Sequence, residues 1–229
     1  MMKLKSVTKH YQHRGKTVRA LHEATFDIPR GDYVAVVGPS GSGKSTLLLI
    51  LGGMLSPMQG QVMFDGQSLY DLAPADRAAL RKQKIGFVFQ TFNLMPYLTA
   101  LENVQVPLLL AGIGETEQQE KAASLLERLG LGDRLDHKPS ELSVGQQQRV
   151  ALARMLANNP AVILADEPTG NLDPETSQTI LGFFEEVNRE GKTIVMVTHD
   201  PGAARRARRT LQLLDGAIQH NGSVERQPT

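Results

Sequence analysis

Cysteine is absent from the 229 residues, which rules out disulfides, thiolate zinc sites and cysteine-ligated iron–sulfur clusters and fits a reducing compartment. A long apolar run is missing too. The most apolar stretch, Leu47 to Leu55, is broken by Gly52 and Gly53 and falls well short of the roughly 18 to 20 residues that span a bilayer. The opening residues, MMKLKSVTKHYQHRGK, hold no apolar segment of signal-peptide length, so export is not expected. Nor is there an excess of charge. With 25 Lys and Arg against 24 Asp and Glu, the chain has no overall field for nucleic acid or an anionic membrane without a dedicated patch, and no nucleic-acid partner is expected. If the protein works at a membrane, another chain supplies the spanning part.

What is present reads as one α/β domain over residues 1–229, a length that buries a sizeable core. The opening third gives short strands with turn punctuation: LKSVTKHY, ATFDI closed by Pro29-Arg30-Gly31, YVAVVG and QVMFDG. From about Ala75 to Leu156 the apolar residues recur at three- and four-residue intervals, which predicts helices, with a helical subdomain at about 91–156. Thr99 and Glu102 form a capping-box pair, and Gly130 and Gly132 stop the helix that follows. AVILAD and KTIVMVTHD are nearly continuous apolar runs, as expected of parallel strands covered on both faces. Residues 221–229 read as a flexible tail, and nothing after Gly216-Ala217-Ile218 suggests a regulatory domain.

Gly38, Pro39, Ser40, Gly41, Ser42, Gly43, Lys44, Ser45 and Thr46 read GPSGSGKST, the pattern of a phosphate-binding loop, with a strand-like YVAVV before it and a helix-like STLLLIL after it. Glycines let the backbone wrap closely around phosphates and aim successive N–H groups at them. Lys44 is placed to reach the β- and γ-phosphates of a nucleotide, and the Ser45 hydroxyl to ligate Mg²⁺. Further on, VILA runs into Asp166-Glu167 at the end of a buried strand, where open α/β sheets bind ligands. Asp166 suits the water shell of Mg²⁺, and Glu167 suits polarising an attacking water as general base. Ser143 and Gln146 make a second capping pair, opening QQQRVALARML, so that this helix N-terminus presents N–H groups and a hydroxyl.

GPSGSGKST, LSVGQQ from Leu142 and ILADEPTGNLD stand in the order found in the ABC ATPase family, and the chain resembles that family over almost its whole length. The resemblance implies an α/β phosphate-loop ATPase fold with a mainly parallel core sheet, an N-terminal antiparallel β subdomain and a helical subdomain. It implies ATP and Mg²⁺, and a composite site in which Ser143, Gly145 and Gln146 of one subunit close on the nucleotide of a second. By position, Tyr11 resembles the adenine-stacking aromatic and Gln90 the hinge glutamine that senses the metal and the attacking water. His199 resembles the switch histidine at the γ-phosphate, and Asp173 the loop crossing the dimer interface. Lys44, Gln90, Glu167 and His199 are thus the expected catalytic set, and Ser45, Gln90 and Asp166 the expected metal set. One departure is Val144, where many relatives have glycine; a β-branched residue is strained there only if φ is positive.

FQTFNLMPYLTALENVQVPLLLAG with DEPTGNLD is most similar to the lipoprotein-releasing and macrolide-exporter ATPase group. That implies a cytoplasmic subunit, peripheral on the inner face of the cell membrane through a separate integral membrane permease with few helices and a large extracytoplasmic domain. The ATPase of a polar amino acid importer and a cell-division signalling ATPase stand as alternatives, with Gly170-Asn171 favouring the first reading. Phe92, Leu94, Met95, Tyr97 and Leu98 offer apolar surface either for a permease helix or for the lobe's own core. Arg205, Arg206, Arg208 and Arg209 read as a solvated helix face.

Overall fold

The computed structural model describes residues 1–13 and 15–223. Strand β1 (Met2–His13) pairs antiparallel with β2 (Lys16–Ile28) on one side and β4 (Gln59–Phe64) on the other, and β5 (Gln67–Ser68) completes this first sheet. The apolar residues of β1 fall out of phase, since Leu4 is followed by Val7 at an odd spacing. An irregularity in register between Leu4 and Val7, with Ser6 at φ 48°, lets both side chains reach the core.

The second sheet runs β10-β9-β3-β8-β7-β6, built from β3 (Tyr33–Val37), β6 (Ile85–Val88), β7 (Val162–Asp166), β8 (Thr193–Val197), β9 (Arg209–Leu214) and β10 (Ala217–Ser223). Its pairings are parallel except for β9 with β10. The period of two sorts each central strand between two cores. Val34, Val36, Val162, Leu164, Val195 and Val197 join α1 (Lys44–Leu51) and the antiparallel sheet. Ala35, Ile163, Ala165, Ile194 and Met196 face α5 (Val144–Leu156) and α6 (Pro174–Arg189). Full burial of such aliphatic side chains stabilises by about 1.5–3 kcal/mol each, which explains why these strands carry no polar face.

Helices α3 (Ala100–Leu110) and α4 (Glu115–Arg128) pack with α5, and the local signals for them hold at atomic level. Thr99 Oγ1 accepts from Glu102 N at 3.1 Å while Glu102 Oε2 accepts from Thr99 N at 2.7 Å. Beyond α4, Gly130 adopts φ 69° and its N–H returns to the Glu127 carbonyl.

The helical reading of Ala75 to Leu156 is corrected by β6, a four-residue strand after α2 (Pro74–Lys84) that pairs Ile85 with Val162 and Val88 with Ala165. So short a segment shows no period of its own; only its place beside β7 makes it a strand. The arginine cluster is corrected as well. Helix α7 (Pro201–Arg206) ends before Arg208 and Arg209, Arg206 lies 3.1 Å from Glu185, and Arg209 opens β9 and lies 3.3 Å from Asp32. Asn221 to Ser223, read as tail, extend β10 against Leu211 to Arg209, and residues 224–229 lie outside the described residues. Among the described residues no helix is long and apolar enough to cross a membrane.

Candidate active site

The carboxyl ends of β3, β6, β7 and β8 point to one side of the sheet, so the loops leaving them converge. Together with the β1–β2 hairpin they surround a cavity of about 570 Å³ lined by Tyr11, Val18, Ala20, Gly38, Pro39, Ser40, Gly41, Gly43, Lys44, Ser45, Thr46, Gln90, Asp166, Glu167, Val197 and His199.

The loop after β3 is shaped by space as much as by torsion. Gly43, at φ 104°, precedes α1 directly, and a Cβ on it would collide with the Ala20 carbonyl. A Cβ on Gly38 would strike the Leu213 carbonyl and lie 2.8 Å from Ser42 Oγ, so both positions require glycine. Ser42 is buried beneath the loop and does not line the cavity. Lys44 is nearly buried, and its ammonium donates to the carbonyls of Gly38 and Pro39, each at 2.8 Å. The helix N-terminus and the lysine thus leave a cradle of backbone N–H groups suited to an anion.

Asp166 ends β7 hydrogen-bonded to Ser45. Burial pushes its carboxyl above the ordinary aspartate range and neighbouring Glu167 adds to the rise, while the Ser45 bond and Lys44 oppose it. Glu167 follows at φ 47°, its N–H donating to the Val197 carbonyl at 3.0 Å. Glu167 Oε2 lies 2.8 Å from His199 Nδ1, just past the end of β8. Gln90, past β6, is exposed, and a Cβ on Gly170 would sit 3.2 Å from its Nε2. Asn171 Nδ2 donates to the Gln90 carbonyl at 3.3 Å, so Gly170 and Asn171 both serve the glutamine's loop. A hydroxyl, a carboxylate and an amide are hard oxygen donors, few enough to suit Mg²⁺ with its own waters and phosphates. No cluster of three acidic, histidine or cysteine side chains stands among the described residues as a competing metal cage.

Ser143, Gly145, Gln146 and Asp173 lie outside this cavity. Ser143 and Gln146 bond each other reciprocally at the start of α5, at 2.9 and 3.3 Å. A Cβ on Gly145 would meet Thr176 at 2.8 Å, and Asp173 caps α6 by accepting from Thr176 N at 2.9 Å; the Thr176 side chain first, and then this N–H, lower its pKa. Val144 opens α5 outside the positive-φ region, half-exposed and unstrained. Three lining residues escape reading by motif: Val18, Ala20 and Val197. Val18 stands directly across the hairpin from Tyr11, so pairing the two strands in register would have found it.

A second cavity, also of about 570 Å³, lies between the helical lobe and the sheet, lined by Met54, Ile85, Phe87, Phe89, Val106, Pro107, Leu110, Arg154 and Met155 among others. The five apolar residues after Gln90 do not line it. Leu94 packs on the core with α5 and α6, Phe92 and Leu98 are partly covered, and Met95 and Tyr97 are exposed.

The sequence pattern of the ABC transporter family matches residues 21–170, more than half of the chain. The macrolide export ATP-binding/permease protein MacB of Syntrophobacter fumaroxidans is 50% identical, covering 100% of this chain and 32% of its own length. The uncharacterized ABC transporter ATP-binding protein YknY of Bacillus subtilis is 46% identical over 99% of this chain and 98% of its own. The chain therefore spans about a third of the first and nearly all of the second. A dimeric, post-hydrolysis structure of the ATP-binding cassette MJ0796 with ADP and Pi superposes with a TM-score of 0.92 at 43% identity, covering 99% of this chain and 100% of that one. Phosphate loop, paired acids and converging strand ends thus agree with sequence pattern and superposition: the chain belongs to the ABC transporter family and has the fold of its ATP-binding cassettes.

Proposed function

We propose that the protein binds ATP with Mg²⁺, pairs with a second copy of itself around two nucleotides, and hydrolyses them to drive a separate membrane permease from the cytoplasmic side. The observation that carries this is the split of the expected residues. Phosphate loop, acids, Gln90 and His199 share one cavity, while Ser143, Gly145 and Asp173 stand outside it on the exposed starts of α5 and α6. A site divided in this way is completed by a second copy.

Tyr11 and Val18, both exposed, form an apolar platform for the adenine, and a stacked base is worth roughly 1–3 kcal/mol. The loop N–H groups take the phosphates, and Lys44, held at the loop by the Gly38 and Pro39 carbonyls, contributes its charge to the phosphate oxygens. Ser45, Asp166 and Gln90 would hold Mg²⁺, which supplies charge neutralisation on the β- and γ-phosphates. Glu167 polarises the attacking water, with His199 fixing its carboxylate; Ser143, Gly145 and Gln146 serve the nucleotide of the second copy.

The apolar cavity between lobe and sheet supports a permease helix as the driven element, since it offers Phe87, Phe89 and Leu110 beside the Gln90 loop. An exporter or substrate extractor, rather than an importer, follows from the likeness to macrolide export proteins. The test is Glu167→Gln: it should bind ATP, hydrolyse it very slowly, elute as a dimer only with ATP, and co-purify from membranes with a permease of few helices. Normal turnover in that variant would overturn the assignment of Glu167.

A further inference from the structure

Gln146, Gln147 and Gln148 follow one another in sequence, yet each amide has a different job. Gln146 closes the capping box, and Gln147 Nε2 returns to the Leu142 carbonyl at 3.0 Å. Gln148 points inward. It is completely buried, and its Nε2 donates to the Pro168 carbonyl at 2.6 Å, while its Oε1 accepts from no other described residue. A fully buried amide that spends its donor on one backbone carbonyl fixes that carbonyl in place, which an apolar side chain of the same size does not do.

Pro168 is itself buried and directly follows Glu167, whose φ of 47° is a conformation that L-residues adopt at a cost of roughly 1–2 kcal/mol. Such a torsion persists only where the surroundings over-determine it. Three bonds do so here: Glu167 N to the Val197 carbonyl at 3.0 Å, Gly170 N to the Glu167 carbonyl at 3.1 Å, and Gln148 to Pro168. The first two are backbone bonds that any sequence could make. The third is the only one of the three that depends on a side chain, and it comes from α5, the helix that begins at Ser143.

We infer that Gln148 is a positioning residue for Glu167: by holding the Pro168 carbonyl it keeps the turn after β7 in the form that aims the carboxylate into the nucleotide cavity. This rests on the proposed role of Glu167 as base. It also ties the base of one site to the helix whose first turn serves the other, so that a shift of α5 reaches the carboxylate through a single hydrogen bond.

The experiment pairs Gln148→Met, which keeps length and bulk but no donor, with Glu167→Gln in a double-mutant cycle read by phosphate release. It adds hydrogen exchange at the Gly170 amide on the purified chain. Gln148→Met should lower kcat at least tenfold with KM for ATP within twofold, cause no further loss in the Glu167→Gln background, and speed exchange at Gly170 about tenfold while β7 amides stay protected. Unchanged exchange at Gly170, or an equal further loss in the Glu167→Gln background, overturns the inference. Full turnover of Glu167→Gln alone would instead overturn the base assignment. Should Gln148→Met not fold, Gln148→Leu answers the same questions, and exchange at Gly170 decides the matter even where turnover is slow.

Discussion

His199 Nδ1 and Glu167 Oε2 meet at 2.8 Å across the gap between the ends of β8 and β7, two strands paired residue for residue as far as Asp166 with Val197. The register sets this distance, because each side chain sits one or two residues beyond the last paired position. The histidine is mostly exposed and the glutamate mostly covered, so the pair orders the carboxylate far more than it stabilises the fold. His199→Ala should therefore cut turnover by about 10²-fold or more while the melting temperature stays within a degree or two. Parallel turnover and melting measurements check both halves.

Lys44 donates its ammonium to the Gly38 and Pro39 carbonyls of its own loop, at the floor of the nucleotide cavity. Charge-assisted bonds are worth about 1.5–3 kcal/mol each, so Lys44→Ala should weaken ATP binding by at least about tenfold and abolish turnover. The thermal shift given by ATP should shrink accordingly; a full shift in the variant would mean that the lysine does not reach the nucleotide.

Gly43 and Gly66 share a positive φ but not the same surroundings. A Cβ on Gly43 collides with the Ala20 carbonyl, whereas nothing lies within 4 Å of one on Gly66. Gly66→Ala should cost only the torsional strain of about 1–2 kcal/mol, while Gly43→Ala should cost more and displace the loop. Denaturant melts with ATP titrations separate the two, and equal losses would argue against the close approach.

Asp166 is a carboxylate whose ionised form the fold disfavours, through burial and then Glu167. A raised folded-state pKa stabilises below the unfolded value, and that gain is lost as pH rises through the folded value. At neutral pH Asp166→Asn should accordingly melt higher than the parent yet turn over ATP far more slowly, the difference in melting fading as pH falls into the acid range. Melting curves across pH test the sign directly.

Val144 begins α5 without backbone strain and with about half its surface exposed, at 49%. Replacing it with glycine removes a β-branched group from the face proposed to meet a second copy's nucleotide and loosens the first helical turn by roughly 0.5–1 kcal/mol. Val144→Gly should raise turnover at a small cost in stability. Clearly lower turnover would show that valine does not crowd the site.

Much of this was legible in the sequence because the signals are local. A capping box needs four consecutive residues, a phosphate loop needs eight, and a buried parallel strand announces itself by an unbroken apolar run; Thr99–Glu102, Gly38–Ser45 and Val162–Asp166 each carry their instruction within themselves. Signals that depend on a neighbour were silent. β6 is a strand because β7 lies beside it, and Arg209 leaves a helix for a strand because Asp32 and the edge of β3 receive it.

The sequence by itself determined the chemistry on offer: the glycines and lysine of the loop, the adjacent acids, the histidine after an apolar run and the capped helix after Leu142. Only the tertiary structure decided which of these groups stand together. It brought Tyr11, Lys44, Asp166, Glu167 and His199 to one cavity, kept Ser143 and Asp173 out of it, and joined Gln148 to Pro168. The physical reason is range. Torsional preference and capping act over a few residues of chain, whereas strand register and close packing bring together groups far apart in sequence, and no local pattern records where they will meet.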